Sequence, residues 1–194
     1  MARPRRAPVG PATPSNARPE ATAHGVFVRV EGLGVFLRGA SGAGKSELAL
    51  ELLSRGHQLI ADDIVEWRRG ADERVQGTCP PLLTGFIEVR GLGILNARAL
   101  YGENAVIAAA ALDLVIDLGQ GAHTGTEERL RGIRSVHAVL GVEVPEISLP
   151  RRVGHNLAVL VEAACRDHRL RLAGYRADED LAQRQQELLM PRKT

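Results

Sequence analysis

Aromatic side chains are scarce in this chain: three Phe, two Tyr and one Trp, 3% of residues. Single-stranded nucleic acid is held largely by stacking bases on aromatic rings, so so few rings argue against it. The formal charge of +2 and pI of about 8.8 supply no strong phosphate-tracking surface either. No nucleic-acid partner is expected. Cysteine is equally rare. Cys79 and Cys165 have no C-x-x-C spacing and so offer no thiolate zinc motif, and a disulfide between them has nothing to recommend it. Two reduced thiols in a cytoplasmic protein are expected. No apolar run approaches the length of a membrane span, and the N-terminal arginines are not followed by the apolar segment of a secretory signal. No membrane partner is expected.

What is present is enough for one domain. The chain has 194 residues, 44% of them hydrophobic, so the core must be built mostly from Leu, Val, Ile and Ala. Residues 1–20 are rich in Pro, Arg and Ala without periodicity and read as a disordered basic tail. Residues 21–194 read as the folded domain, with order setting in near His24.

The most specific local signal is GASGAGKS at 39–46, which matches G-x-x-x-x-G-K-[ST]. Gly39, Ala40, Ser41, Gly42, Ala43 and Gly44 form a loop whose backbone N–H groups can converge on phosphate oxygens. Lys45 then reaches the outer phosphates, and the Ser46 hydroxyl can sit on Mg²⁺. The four fixed positions arise by chance in roughly one chain in a hundred of this size. Context raises the specificity: Val35, Phe36 and Leu37 form a strand-like run before the loop, and residues 46–53 have helical spacing after it. Val26, Val28 and Val30 alternate with Phe27 and Arg29, and Gly32 and Gly34 then turn the chain, predicting a strand pair that feeds the loop.

Gly56 closes the helix as a C′ glycine. Residues 57–67 read as one buried strand that carries Asp62 and Asp63. Such a nucleotide site takes its metal and base groups from an acid at a neighbouring strand end. On a regular strand the two aspartates face opposite ways; at a strand end or bulge both can converge. Further along, 77–83 reads as a loop, 86–89 and 111–118 as strands, and 119–126 as a glycine-rich loop. Residues 156–172 and 177–190 read as helices. Strands and helices alternate only partly, which predicts an α/β or α+β fold with a mixed sheet.

No N-K-x-D guanine reader is present, and the chain is too short for a motor ATPase. The residues alone leave open a protein kinase, a P-loop kinase of a small metabolite, and a non-catalytic ATP-sensing regulator. The run GFIEVRGLGILNA at 85–97 then carries a resemblance. It is similar to the signature stretch of the HPr(Ser) kinase/phosphorylase family. The segments HGVFV, GVFLRGASGAGKSELALELLSRGHQLIADD, EERL and LPRRVGHNLAVLVE follow that family's order. The resemblance spans about 24–175.

It implies a single P-loop domain with a mixed central sheet and C-terminal helices, like that of phosphoenolpyruvate carboxykinase. The chain would be a short form consisting of the catalytic domain alone. The implied reaction is ATP-dependent phosphorylation of a serine of HPr, the phosphocarrier of the sugar phosphotransferase system, reversed by phosphorolysis that yields pyrophosphate. The implied roles are Asp63 as catalytic carboxylate, Asp62 as metal-side or supporting acid, and Glu88 as a second Mg²⁺ ligand. Asp62 and Asp63 remain interchangeable at this level. His24 and Arg129 match active-site positions. Arg90 supports the site. Arg151, Arg152 and His155 match the segment that the family uses mainly for dephosphorylation, with His155 standing where many members have Arg. A homo-oligomer, by resemblance a hexamer, is also implied, with the helix near 178–190 as a docking or inter-subunit surface.

Overall fold

The computed structural model describes residues 18–119, 131–150 and 156–189. Residues 1–17 of the basic tail lie outside the described residues, as do Arg129, Arg151, Arg152 and His155. The fold is mixed α/β, as expected. Among the described residues a nine-stranded sheet runs in the order β1 (Ala21–His24), β5 (Ile64–Arg69), β6 (Val75–Thr78), β9 (Ala109–Asp117), β3 (Leu33–Arg38), β2 (Val26–Val30), β4 (Gln58–Ala61), with β11 (Val142–Ser148) added beside β9 and β10 (Ile133–Val139) beside β11.

β2 (Val26–Val30) and β3 (Leu33–Arg38) form the hairpin that the valine alternation predicts. Glu31 at φ 52° and Gly32 at φ 82° make its two-residue turn, with both residues left-handed so that the turn matches the strand twist. α1 (Lys45–Ser54) follows, and Gly56 ends it at φ 89°. The single strand expected over 57–67 is in fact two. β4 (Gln58–Ala61) pairs with β2, whereas β5 (Ile64–Arg69) pairs with β1 (Ala21–His24) and with β6 (Val75–Thr78). β4 lies at one end of the sheet and β5 near the other, yet only Asp62 and Asp63 join them. The sheet must therefore curl until its ends meet, and the two aspartates sit at the seam.

β9 (Ala109–Asp117) is the central strand. It pairs in parallel with β3 on one edge. On the other edge it pairs with β6 through its first residues and with β11 (Val142–Ser148) through its last. β10 (Ile133–Val139) covers β11. A separate two-stranded hairpin, β7 (Phe86–Val89) and β8 (Gly93–Asn96), stands apart from the large sheet. It leads into the short α2 (Ala97–Tyr101). α3 (Leu157–Leu172) begins at Asn156, whose side chain accepts from the Val159 amide at 3.0 Å, a capping bond that stops the first turn from fraying. α4 (Ala177–Leu189) buries none of its residues. Among the described residues no helix is long and apolar enough to cross a membrane.

Both faces of the sheet are covered. Val26, Val28, Val35, Leu37, Leu114 and Ile116 pack on one side with Leu48 and Leu52 of α1 and Val161 of α3. This is the aliphatic core that the composition predicts. The other side holds Phe27, Phe36 and Trp67. The Trp67 ring meets both phenylalanines edge-on, with centroids at 5.1 and 5.2 Å, geometry that aromatic quadrupoles favour. Half of the few aromatics thus concentrate in one cluster. Gly77 does not lie in a loop, as expected, but in β6 beneath these rings. A Cβ there would come within 2.5 Å of both Phe27 and Trp67. Cys79 and Cys165 are buried free thiols, and burial pushes them up to about 11 and about 12, so both stay protonated.

One buried carboxylate ties α3 to the end of α1. Glu162 accepts from Nε and a terminal nitrogen of Arg55, each at 2.7 Å, and lies 2.9 Å from His57 Nε2. The Arg55 guanidinium, aided by His57, holds the Glu162 carboxyl down at about 2. Because its folded pKa lies below the ordinary 4.5, the carboxylate contributes stability above that pH. The contribution is lost as pH falls through 4.5 toward about 2. Glu162→Gln should cost about 2 kcal/mol at pH 7, because Arg55 loses its charged partner. Urea titrations at pH 7 and at pH 3 check this: the gap between wild type and variant should narrow in acid.

Candidate active site

Residues 39–46 turn between the end of β3 and the start of α1. Gly44 caps α1 in the left-handed region at φ 80°, without a side-chain cap. The first amides of α1 are left facing the loop, where the positive end of the helix dipole also points. Lys45 Nζ folds back across the loop and donates to the Gly39 and Ala40 carbonyls at 3.0 and 3.1 Å. Its ammonium is thus held over the concave side of the turn. Opposite Gly42, which has φ 75°, the Arg90 guanidinium lies 3.7–3.8 Å from where a Cβ would be.

Ser46, in the first turn of α1, donates to Asp62 Oδ1 at 3.0 Å. The other Asp62 oxygen accepts from the Glu88 amide at 2.9 Å. Asp62 therefore locks three elements together: α1, the β4–β5 seam and β7. Its residue is only 5% exposed. Burial pushes its carboxyl above the ordinary range, against the two hydrogen bonds, and the neighbouring Asp63 charge pushes it the same way. A cation beside it would reverse that shift.

Asp63 does something different. The Ile64 amide donates to the Asp62 carbonyl at 2.9 Å, and Asp63 between them has φ 69°. That combination is a γ-turn, a rare and strained geometry. It breaks the strand alternation, so both carboxylates enter one cleft, the convergence that a strand end allows. Asp63 Oδ1 lies 3.4 Å from Nδ1 of His24, at the end of β1, and both side chains are well exposed. Asp63 is open to an incoming group, whereas Asp62 is committed to internal bonds.

The result is a cleft of about 370 Å³ lined by His24, Gly39, Ser41, Gly42, Gly44, Lys45, Ser46, Asp62, Asp63, Glu88 and Arg90. Ala40 and Ala43 belong to the same turn and line an adjoining depression together with Arg38 and Asp117. Nearly all the described residues anticipated from sequence thus gather at one place. Arg129, Arg151, Arg152 and His155 lie outside the described residues. Glu47 also lines the cleft, and sequence reasoning passed over it as an ordinary first-turn acid. It also passed over Arg38, immediately before the loop. Arg38 donates to the buried Glu146 at 2.9 Å and lies 3.0 Å from His137 Nδ1. Its position next to Gly39 was the available signal; its partners come from β10 and β11, far away in sequence.

Among the described residues, no group of three or more His, Cys, Asp or Glu could hold a metal by itself. The oxygen set of Ser46, Asp62 and Glu88 fits Mg²⁺, which binds one or two carboxylates and takes the rest of its shell from water and phosphate.

Comparison with known proteins adds to this geometry. The family model described as the HPr serine kinase C-terminal domain matches residues 16–185. HPr kinase/phosphorylase of Azoarcus sp. strain BH72 is 50% identical over 169 residues, covering 86% of this chain and 54% of that protein. The protein of the same name from Aromatoleum aromaticum is 52% identical, covering 86% of this chain and 53% of that protein. The chain therefore spans about half the length of the curated relatives it matches. Among solved structures, the Hpr(Ser) kinase/phosphatase from Coxiella burnetii superposes with a TM-score of 0.76 at 32% identity. That match covers 84% of this chain and 98% of the other.

Proposed function

The chain belongs to the HPr serine kinase C-terminal domain family, and from that premise we propose that it transfers the γ-phosphoryl group of ATP to a serine of the phosphocarrier HPr. The same site runs phosphorolysis in reverse. The single observation that carries this reading is the pairing of an exposed carboxylate, Asp63, with a buried one, Asp62, beside a glycine loop and Lys45.

The 39–46 loop is the phosphate-binding P-loop in this reading. Its N–H groups and the α1 dipole hold the β- and γ-phosphates, and Lys45 moves from the loop carbonyls to their oxygens. Ser46, Asp62 and Glu88 would hold Mg²⁺, which supplies charge neutralisation on the phosphates when bound. Asp63 accepts the proton of the HPr serine hydroxyl as that oxygen attacks phosphorus. His24 is close enough to orient Asp63. Arg90 balances charge over the loop, and the likeness to the family assigns Arg129 to the charge on the transferring group. In reverse, an oxygen of inorganic phosphate attacks the phosphoserine phosphorus, the bond from phosphorus to the serine oxygen breaks as protonated Asp63 gives that oxygen its proton, and the pyrophosphate so formed is released. Arg151, Arg152 and His155 serve the phosphate in that direction. The likeness to the family also supports a homo-oligomer, a hexamer, and a role in regulating the sugar phosphotransferase system.

Incubation of phosphoseryl-HPr with the protein, Mg²⁺ and inorganic phosphate tests the reverse step. Pyrophosphate should form in equal amount to dephosphorylated HPr. Release of inorganic phosphate without pyrophosphate would contradict phosphorolysis.

A further inference from the structure

The β7–β8 hairpin has two unlike faces. Ile87 and Val89 point inward and are buried in the core that also holds Leu48 and Leu52 of α1. The outward face carries Phe86 and Glu88 on β7 and Ile94 and Asn96 on β8. The register pairs Glu88 with Ile94 and Phe86 with Asn96. Directly opposed residues on an antiparallel pair lie on the same face, with Cβ atoms about 5 Å apart. Ile94, which is 73% exposed, is therefore the cross-strand neighbour of a carboxylate that lines the catalytic cleft. Leu92, in the turn between Gly91 and Gly93, is 68% exposed, and Phe86 is 42% exposed. Three large apolar side chains thus face solvent at the rim of a polar cleft.

Nothing in phosphate or metal binding needs them there. An exposed apolar cluster beside a polar site is the mark of an interaction surface. We infer that Phe86, Leu92 and Ile94 form the ledge on which the protein acceptor docks, through an apolar segment flanking the serine that takes the phosphoryl group. This deepens the functional reading above and rests on it.

Two features favour the acceptor over a second copy of this chain. The ledge is continuous with the cleft through the Glu88–Ile94 pair, so whatever covers Ile94 also comes to the cleft mouth that an incoming serine must use. The hairpin is also fixed. Its inner face is buried, and the Glu88 amide is bonded to Asp62, so the ledge has a set position relative to the reacting groups. A small metabolite would gain nothing from such a ledge. A folded protein gains apolar contact, which a serine and its backbone alone do not supply.

The test compares wild type with Ile94→Gln and Leu92→Ser in steady-state phosphorylation of HPr. Both positions are exposed, so thermal midpoints should match wild type and the variants should fold. The expected result is a rise of at least tenfold in KM for HPr, with kcat and KM for ATP within about twofold of wild type. An unchanged KM for HPr in both variants would overturn the ledge while leaving the functional reading intact. Dissociation of an oligomer by Ile94→Gln, seen by light scattering, would also overturn it and assign this face to a second copy. Absence of HPr phosphorylation by the wild-type protein would instead remove the functional reading, and the ledge with it.

Discussion

Asp63→Asn should lower kcat for HPr phosphorylation by about 10³-fold while leaving the ATP dissociation constant within about twofold. The size follows from removing a general base, which typically contributes 10²–10⁴-fold. The fold should survive. Asp63 occupies the left-handed region at φ 69°, and Asn is among the few residues that tolerate it. Its link to His24 is a long 3.4 Å contact between exposed groups, worth little to stability. Asp62 retains its bonds to Ser46 and to the Glu88 amide, so the groups assigned to the nucleotide are undisturbed. Phosphorolysis should fall by a similar factor, because the same carboxyl returns the proton. Single-turnover assays in both directions, with ATP binding by calorimetry, check all three statements. If Asp62 rather than Asp63 were the base, Asp63→Asn would retain most of its rate.

Lys45→Met should weaken ATP binding by about 100-fold and lower kcat/KM by about 10³-fold or more. The ammonium is the only lysine group on the loop, and its two present partners are the Gly39 and Ala40 carbonyls. Phosphate oxygens offer it charge-assisted bonds, stronger than those to neutral carbonyls. Met keeps the length of the stem and its packing, so the loss is chiefly electrostatic. A greater loss in kcat/KM than in binding is expected, because charge on the transferring group must be balanced in the transition state. Equal losses in binding and in kcat/KM would mean that Lys45 only holds the nucleotide.

Much of the site was legible because it depends on local order. The strand, glycine loop and helix are consecutive, and the GKS end of the loop carries its chemistry in its residue types. Gly56 marked the end of α1 for reasons confined to a few residues. What sequence concealed is mostly long-range. The γ-turn at Asp63 depends on β4 and β5 belonging to opposite ends of a curled sheet, so 57–67 read as one strand. β1 was not read as a strand because Ala21, Thr22 and Ala23 carry little apolar signal; its pairing with β5 is what orders it. β6 escaped because Gly77 reads as a turn residue, and only the rings of Phe27 and Trp67 explain it. β10 exposes Arg134, Ser135 and Val136 in a row, and β11 contains Pro145, so neither displays a clean alternation. Arg38 was marked in the sequence only by its place next to Gly39, since its partner Glu146 comes from β11.

The most direct measurement is the intact mass of HPr after incubation with the purified protein, ATP and Mg²⁺. The account predicts the addition of a single phosphate, mapped to serine, dependent on both ATP and Mg²⁺, and about 10³-fold slower with Asp63→Asn. An HPr of unchanged mass, with ATP binding intact, would contradict it.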